Sequence, residues 1–154
     1  MMTFRKISLT GHTAWGFLAG GALVLQGLMV LLLKNQLGDK LPTYFSFTGR
    51  IIGWFAYQRP IILPGILFLA ALHLAGLLLG NTIPVLLNRM PLLGKYLPDS
   101  YYLGGLAFAW FEALTWPVLG DFFGNDFWTA PLILVINSVW LLIVVFKTGQ
   151  KAMA

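Results

Sequence analysis

The sequence predicts an all-α integral membrane protein with four transmembrane helices, and three observations carry that expectation. Hydrophobic residues make up 58% of the 154, charged residues only 10%, and the mean hydropathy is positive. A soluble domain has a far more polar surface than this chain can supply. The apolar residues also fall into four runs long enough to cross a hydrocarbon core of about 30 Å, which takes about 20 residues at 1.5 Å each. With so much of the chain in spans, the remainder forms only short connections, and residues 1–154 are read as a single helical-bundle domain.

The first span covers about residues 11–33 and is closed by Lys34. Arg5 and Lys6 precede it as they would a signal peptide, but the run is too long for such a segment and leads to no small-residue cleavage site. It is expected to be retained. The second span runs from Pro60, a favourable first-turn proline, to about residue 79, where Gly80 and Asn81 are expected to end it. The third covers about residues 101–119 and stops at Gly120 and Asp121, and the fourth covers about 128–146 and stops at Lys147. Between them, residues 35–59 and 81–100 are expected to form short interfacial helices or loops. Pro84, Pro91 and Pro98 break the second of these stretches, for which a re-entrant hairpin is the alternative.

Charge fixes the expected orientation. With the N-terminus inside, Arg5, Lys6, Arg89, Lys95, Lys147 and Lys151 gather on one side, and Lys34, Lys40, Arg50 and Arg59 on the other. The excess places both termini in the cytoplasm. The last connection carries Asp121 and Asp126 without a basic residue, and its Phe122, Phe123, Phe127 and Trp128 are expected in the interfacial aromatic belt. The net charge of +5 comes from basic residues scattered near span ends, a pattern of headgroup contact that argues against a nucleic-acid partner. No cysteine is present, which excludes disulfides, thiolate metal sites and cysteine nucleophiles.

The first connection holds the most specific motif: Pro42, Tyr44, Phe45, Ser46 and Gly49, followed by Gly53 and Trp54. Pro42 and Gly49 bracket a turn in which Thr43, Ser46 and Thr48 can bond their own backbone. Tyr44, Phe45, Phe47 and Trp54 can anchor it at the headgroup layer. Over residues 15–80 the pattern resembles a bacterial membrane family, the immunity proteins of the sporulation-delaying toxin system (SdpI-type). There a loop of the form Pro-x-His-Phe-Asn-x-x-Gly precedes a Gly-aromatic pair and a second span with an early proline, here Pro64. The chain departs from that pattern at Tyr44 and Ser46, which replace the histidine and asparagine, so no role of that histidine carries over. The resemblance implies a small protein of the bacterial cytoplasmic membrane that acts by binding a peptide, a lipid or an envelope partner.

Four polar side chains interrupt the spans, one in each: Gln26, His73, Glu112 and Asn137. By depth they could meet in the bundle centre. They could form a proton, cation or ligand site, or they could bond across helices as packing contacts of about 1 kcal/mol or less each. Gly16 and Gly20, Gly76 and Gly80, and Gly104 with Gly105 are expected to let helices approach closely. Trp110 and Trp140 lie deep in their spans, where they are expected to pack inside the bundle or against another protein.

No catalytic constellation is present, so no enzymatic activity is expected. No cofactor or metal is expected either, though His73 as a single axial contact to haem or chlorophyll stays open. The leading expectation is a binding protein in contact with lipid and with another membrane protein or itself. The alternatives are an accessory subunit of a respiratory or photosynthetic complex and a small transporter or channel using Glu112.

Overall fold

The structure, a computed structural model, describes residues 11–154. Arg5, Lys6 and the side chain of His12 lie outside the described residues. The chain is mostly helical, and four of its helices are long and apolar enough to cross a membrane. These are α1 (Gly11–Leu32), α2 (Ile62–Asn88), α4 (Ser100–Phe122) and α5 (Asp126–Met153), with a short α3 (Pro91–Tyr96) between α2 and α4. The pair α2 and α4 forms the centre; α1 packs mainly on α2, and α5 on α4.

Glycine explains the closeness of the central pair. A Cβ on Gly104 would collide with the carbonyl of Gly80 and lie 3.1 Å from the Pro84 ring, and one on Gly76 would lie 2.9 Å from Phe111 Cβ. Pro84 cannot donate to the Gly80 carbonyl four residues back. That carbonyl turns instead toward the bare backbone of Gly104, so the proline sits inside α2 without ending it. The expected stop at Gly80 and Asn81 is therefore corrected: the helix continues to Asn88. Asn81 donates its side-chain amide to the Leu77 carbonyl, 2.8 Å away, within the same helix. Gly16 and Gly20 need the opposite correction, because nothing in the described structure lies within 4 Å of a Cβ built on either.

The fourth span also runs further than its apolar stretch, to Met153. Its last turns are tied to the rest of the bundle by Lys147 over the Tyr102 ring and by Lys151, which donates to the Leu97 carbonyl. The third helix ends at Phe122, past the expected Gly120 and Asp121. Gly124 (φ 76) stops it, with Asn125 N–H bonded to Gly120 O and Gly124 N–H to Asp121 O, the paired bonds of a Schellman cap. Residues 89–99 contain α3 and no re-entrant hairpin.

The first connection is the largest departure from an all-helical expectation. It forms a two-stranded antiparallel hairpin, β1 (Lys40–Phe45) and β2 (Ile51–Ala56), following a 3-10 turn at Lys34–Gln36. Pro42 pairs with Trp54, and Tyr44 with Gly53. At the tip Gly49 has φ 82, and Ser46 both closes the turn through its backbone and accepts the Arg50 N–H on its hydroxyl. The base is fixed where Gly38 donates to the Phe122 carbonyl and accepts from Ile61. Below it lies the apolar core, Val30, Leu37, Leu41, Ile61, Leu69, Val118, Leu119 and Phe122. Phe122, expected in the aromatic belt, is thus fully buried, its ring lying 3.1 Å from where Gly65 would carry a Cβ. Phe127 and Trp128 are exposed.

The hairpin and the α4–α5 turn occupy one end of the bundle. Helix α3, the start of α1 and the C-terminus occupy the other.

Candidate functional site

Two sites emerge on different sides of the α2–α4 pair. The first is a buried polar network joining α1, α2 and α4. His73 Nδ1 is 2.7 Å from Glu112 Oε1 and His73 Nε2 is 2.8 Å from Gln26 Oε1. Gln26 Nε2 donates to Thr115 Oγ1 at 2.8 Å, and Thr115 donates to the Glu112 carbonyl at 2.7 Å. All four residues are buried.

Proton counting fixes the roles. A threonine hydroxyl has one proton, and here it is committed to the Glu112 carbonyl. Gln26 must then present its amide nitrogen to Thr115 and its oxygen to His73. His73 Nε2 must therefore carry a proton. One proton remains for the contact between Nδ1 and Oε1; whether it rests on ring or carboxyl, the pair is neutral overall. That neutrality is what an apolar interior requires, since an uncompensated buried charge costs several kcal/mol. Both ring nitrogens of His73 are engaged, so an axial contact to a pigment would first have to break one of these bonds.

Asn137, expected in the same cluster, lies elsewhere. It accepts from Trp110 Nε1 and donates to the carbonyl of Phe47, both at 2.8 Å. Depth along a helix does not set rotation about it, and α5 packs on the side of α4 facing the hairpin. Thr115 takes the fourth place in the network. Its position one turn beyond Glu112 puts the two on one helix face, a signal the sequence does contain.

The second site is a cavity of about 710 Å³ between α2, α4, α5 and the hairpin, within the size range of small-molecule sites. Phe45, Ser46 and Phe47 roof it, while Phe68, Trp110 and Trp140 are among its walls. Trp110 and Trp140 approach each other at 6.2 Å between ring centres. The hairpin tip is held down as a roof: a Cβ on Gly49 would stand 2.8 Å from Ala130 Cα and 2.9 Å from Ile133 Cβ. Of the motif residues, Phe45 and Ser46 face the cavity and Pro42 is buried. Gly49 docks on α5, Gly53 lies under Tyr44 and Thr43, and Tyr44 and Trp54 are exposed. A smaller cavity of about 320 Å³ lies on the other side of the tip, between Arg50, Trp54, Asp121 and Thr129. There the Thr129 hydroxyl donates to the Asp121 carboxyl.

Neither cavity is lined by Gln26, His73, Glu112 or Thr115. Among the described residues no group of three or more His, Asp or Glu is placed to hold a metal ion. Compared with family models, curated proteins and solved structures, the chain matches none.

The hairpin escaped the sequence reading, although its signals are present. Tyr, Phe and Thr precede Ser46-Phe47-Thr48-Gly49, and Ile, Trp and Phe follow it, a β-rich run on each side of a glycine turn.

Proposed function

We propose that this chain is a non-enzymatic protein of a bacterial cytoplasmic membrane that acts by binding, with the cavity under the hairpin as its binding site. The observation that carries the reading is the roof. The segment Pro42 to Trp54, which resembles the toxin-immunity membrane family, folds into the hairpin whose Phe45, Ser46 and Phe47 close the cavity. The polar network argues for a scaffold: its hydrogen bonds are satisfied internally and it borders neither cavity. Transport through Glu112 therefore has little support.

An accessory subunit of a larger complex is the second reading. It is favoured by the face of α1 at Gly16 and Gly20, which no other described element covers. The two separate on extraction of the tagged protein from its native membrane in mild detergent, followed by mass spectrometry and an absorption spectrum. A single protein carrying a small bound molecule supports the binding reading. Large subunits in fixed ratio, or a haem or chlorophyll band, would replace it with the accessory subunit.

A further inference from the structure

We infer that the occupant of this cavity is one hydrocarbon chain of a membrane lipid, entering sideways from the bilayer while its headgroup stays outside. The inference rests on the reading of the cavity as the binding site, and three observations argue for it.

The first is shape. Along α2 the lining extends from Phe68 to Leu79, and along α4 from Ala107 to Val118, roughly 16 Å in each helix at the α-helical rise. That is about half of a ~30 Å hydrocarbon core, and it suits an extended chain lying parallel to the helices better than a compact ring system.

The second is polarity. Apart from Thr43, an exposed residue of β1, the polar side chains of the lining are already engaged within the protein. Trp110 donates to Asn137, Asn137 donates to the Phe47 carbonyl, and Trp140 donates to the Leu106 carbonyl at 3.1 Å. The Ser46 hydroxyl is shared between Thr48 and the Arg50 N–H. A ligand bearing donors or acceptors would have to break these bonds or bury its own groups unmatched, at about 1–3 kcal/mol for each. A hydrocarbon chain meets no such cost, and aromatic walls offer it contact area without demanding a polar partner.

The third is the mouth. The exposed residues of the lining include Phe47, Leu79 and Leu141. Such a rim continues the apolar outer surface of the bundle, so the cavity opens toward lipid.

The test is native mass spectrometry of the full chain released from nanodiscs of phosphatidylethanolamine and phosphatidylglycerol, at an activation energy that strips loosely held lipid. One lipid should remain on the wild type. Filling the cavity with Ala107→Phe should lower that retention at least tenfold, and Leu114→Phe provides an independent filling should the first variant not fold. Leu28→Phe, at an exposed position on α1 outside the lining, should leave it within twofold, because the added ring does not enter the cavity. A retained lipid indifferent to both fillings, or one lost equally in Leu28→Phe, would overturn the assignment to this cavity. A retained peptide or pigment displaced by the fillings would overturn the hydrocarbon assignment, while leaving the cavity as the binding site. If the wild type retains nothing in nanodiscs or from its native membrane, the reading of the cavity as a binding site fails too.

Discussion

His73 Nδ1 lies 2.7 Å from Glu112 Oε1, and the bonds around them leave one proton for that contact. A substitution that preserves a neutral donor should therefore be tolerated. Glu112→Gln can offer its amide hydrogen to Nδ1 and is expected to cost less than about 1 kcal/mol. Glu112→Leu strands a buried ring nitrogen and is expected to cost about 1–3 kcal/mol. Thermal unfolding in detergent measures both, and equal losses would refute the proton assignment. Nitrogen NMR of His73 gives a second check, with Nε2 protonated in the wild type and in Glu112→Gln alike.

The glycines divide into two groups that sequence spacing alone cannot separate. Gly104→Ala places a methyl group against the Gly80 carbonyl, forcing the central helices apart, and is expected to destabilise by about 1–3 kcal/mol. Gly16→Ala and Gly20→Ala meet open space within the chain and should leave the isolated protein's unfolding midpoint unchanged or slightly raised, since alanine favours helix over glycine. If the accessory-subunit reading holds, these two variants should instead weaken co-purification with the partner.

That contrast shows what could be read in advance. The spans were legible because a bilayer demands an apolar run of fixed length, a property of composition. Gln26, His73 and Glu112 were legible as a group because a polar side chain in such a run seeks a partner. The rotation of α5 is not legible, since it depends on how α5 packs against α4 and the hairpin, and so depth alone groups Asn137 with residues that it does not meet. The end of α2 was missed for a similar reason. Gly80 and Pro84 read locally as helix breakers, yet the close face of Gly104 makes them a packing surface. The cavity depends on distances between elements and had no sequence signature.

The roof should respond to two substitutions at different points. Gly49→Ala combines a left-handed backbone with collision against Ala130, and Asn137→Leu removes the hydrogen bond to the Phe47 carbonyl. Both should release the hairpin tip from α5. The absence of cysteine makes this measurable. In Ile133→Cys, a site 3% exposed, maleimide labelling should be slow in the parent and rise severalfold with either second substitution. Unchanged labelling in both would mean that the tip is held by contacts other than these.

Orientation rests on a narrow charge difference. Among the described residues four basic side chains lie at each end: Lys34, Lys40, Arg50 and Arg59 toward the hairpin, and Arg89, Lys95, Lys147 and Lys151 toward α3 and the C-terminus. Arg5 and Lys6 precede α1 in the sequence, and with them counted the positive-inside rule predicts the α3 end on the cytoplasmic side. Gln58→Cys and Gln150→Cys, both at exposed positions at opposite ends, should therefore behave differently toward a membrane-impermeant maleimide. Position 58 should label in intact cells with an opened outer envelope, and position 150 only after the cytoplasmic membrane is permeabilised. Replacing Arg5 and Lys6 by glutamine should convert this single pattern into a mixture, because the remaining basic side chains divide four to four. A uniform pattern in that variant would show that the hairpin itself, with its Asp39 and its aromatic face, commits the first connection to the outer side.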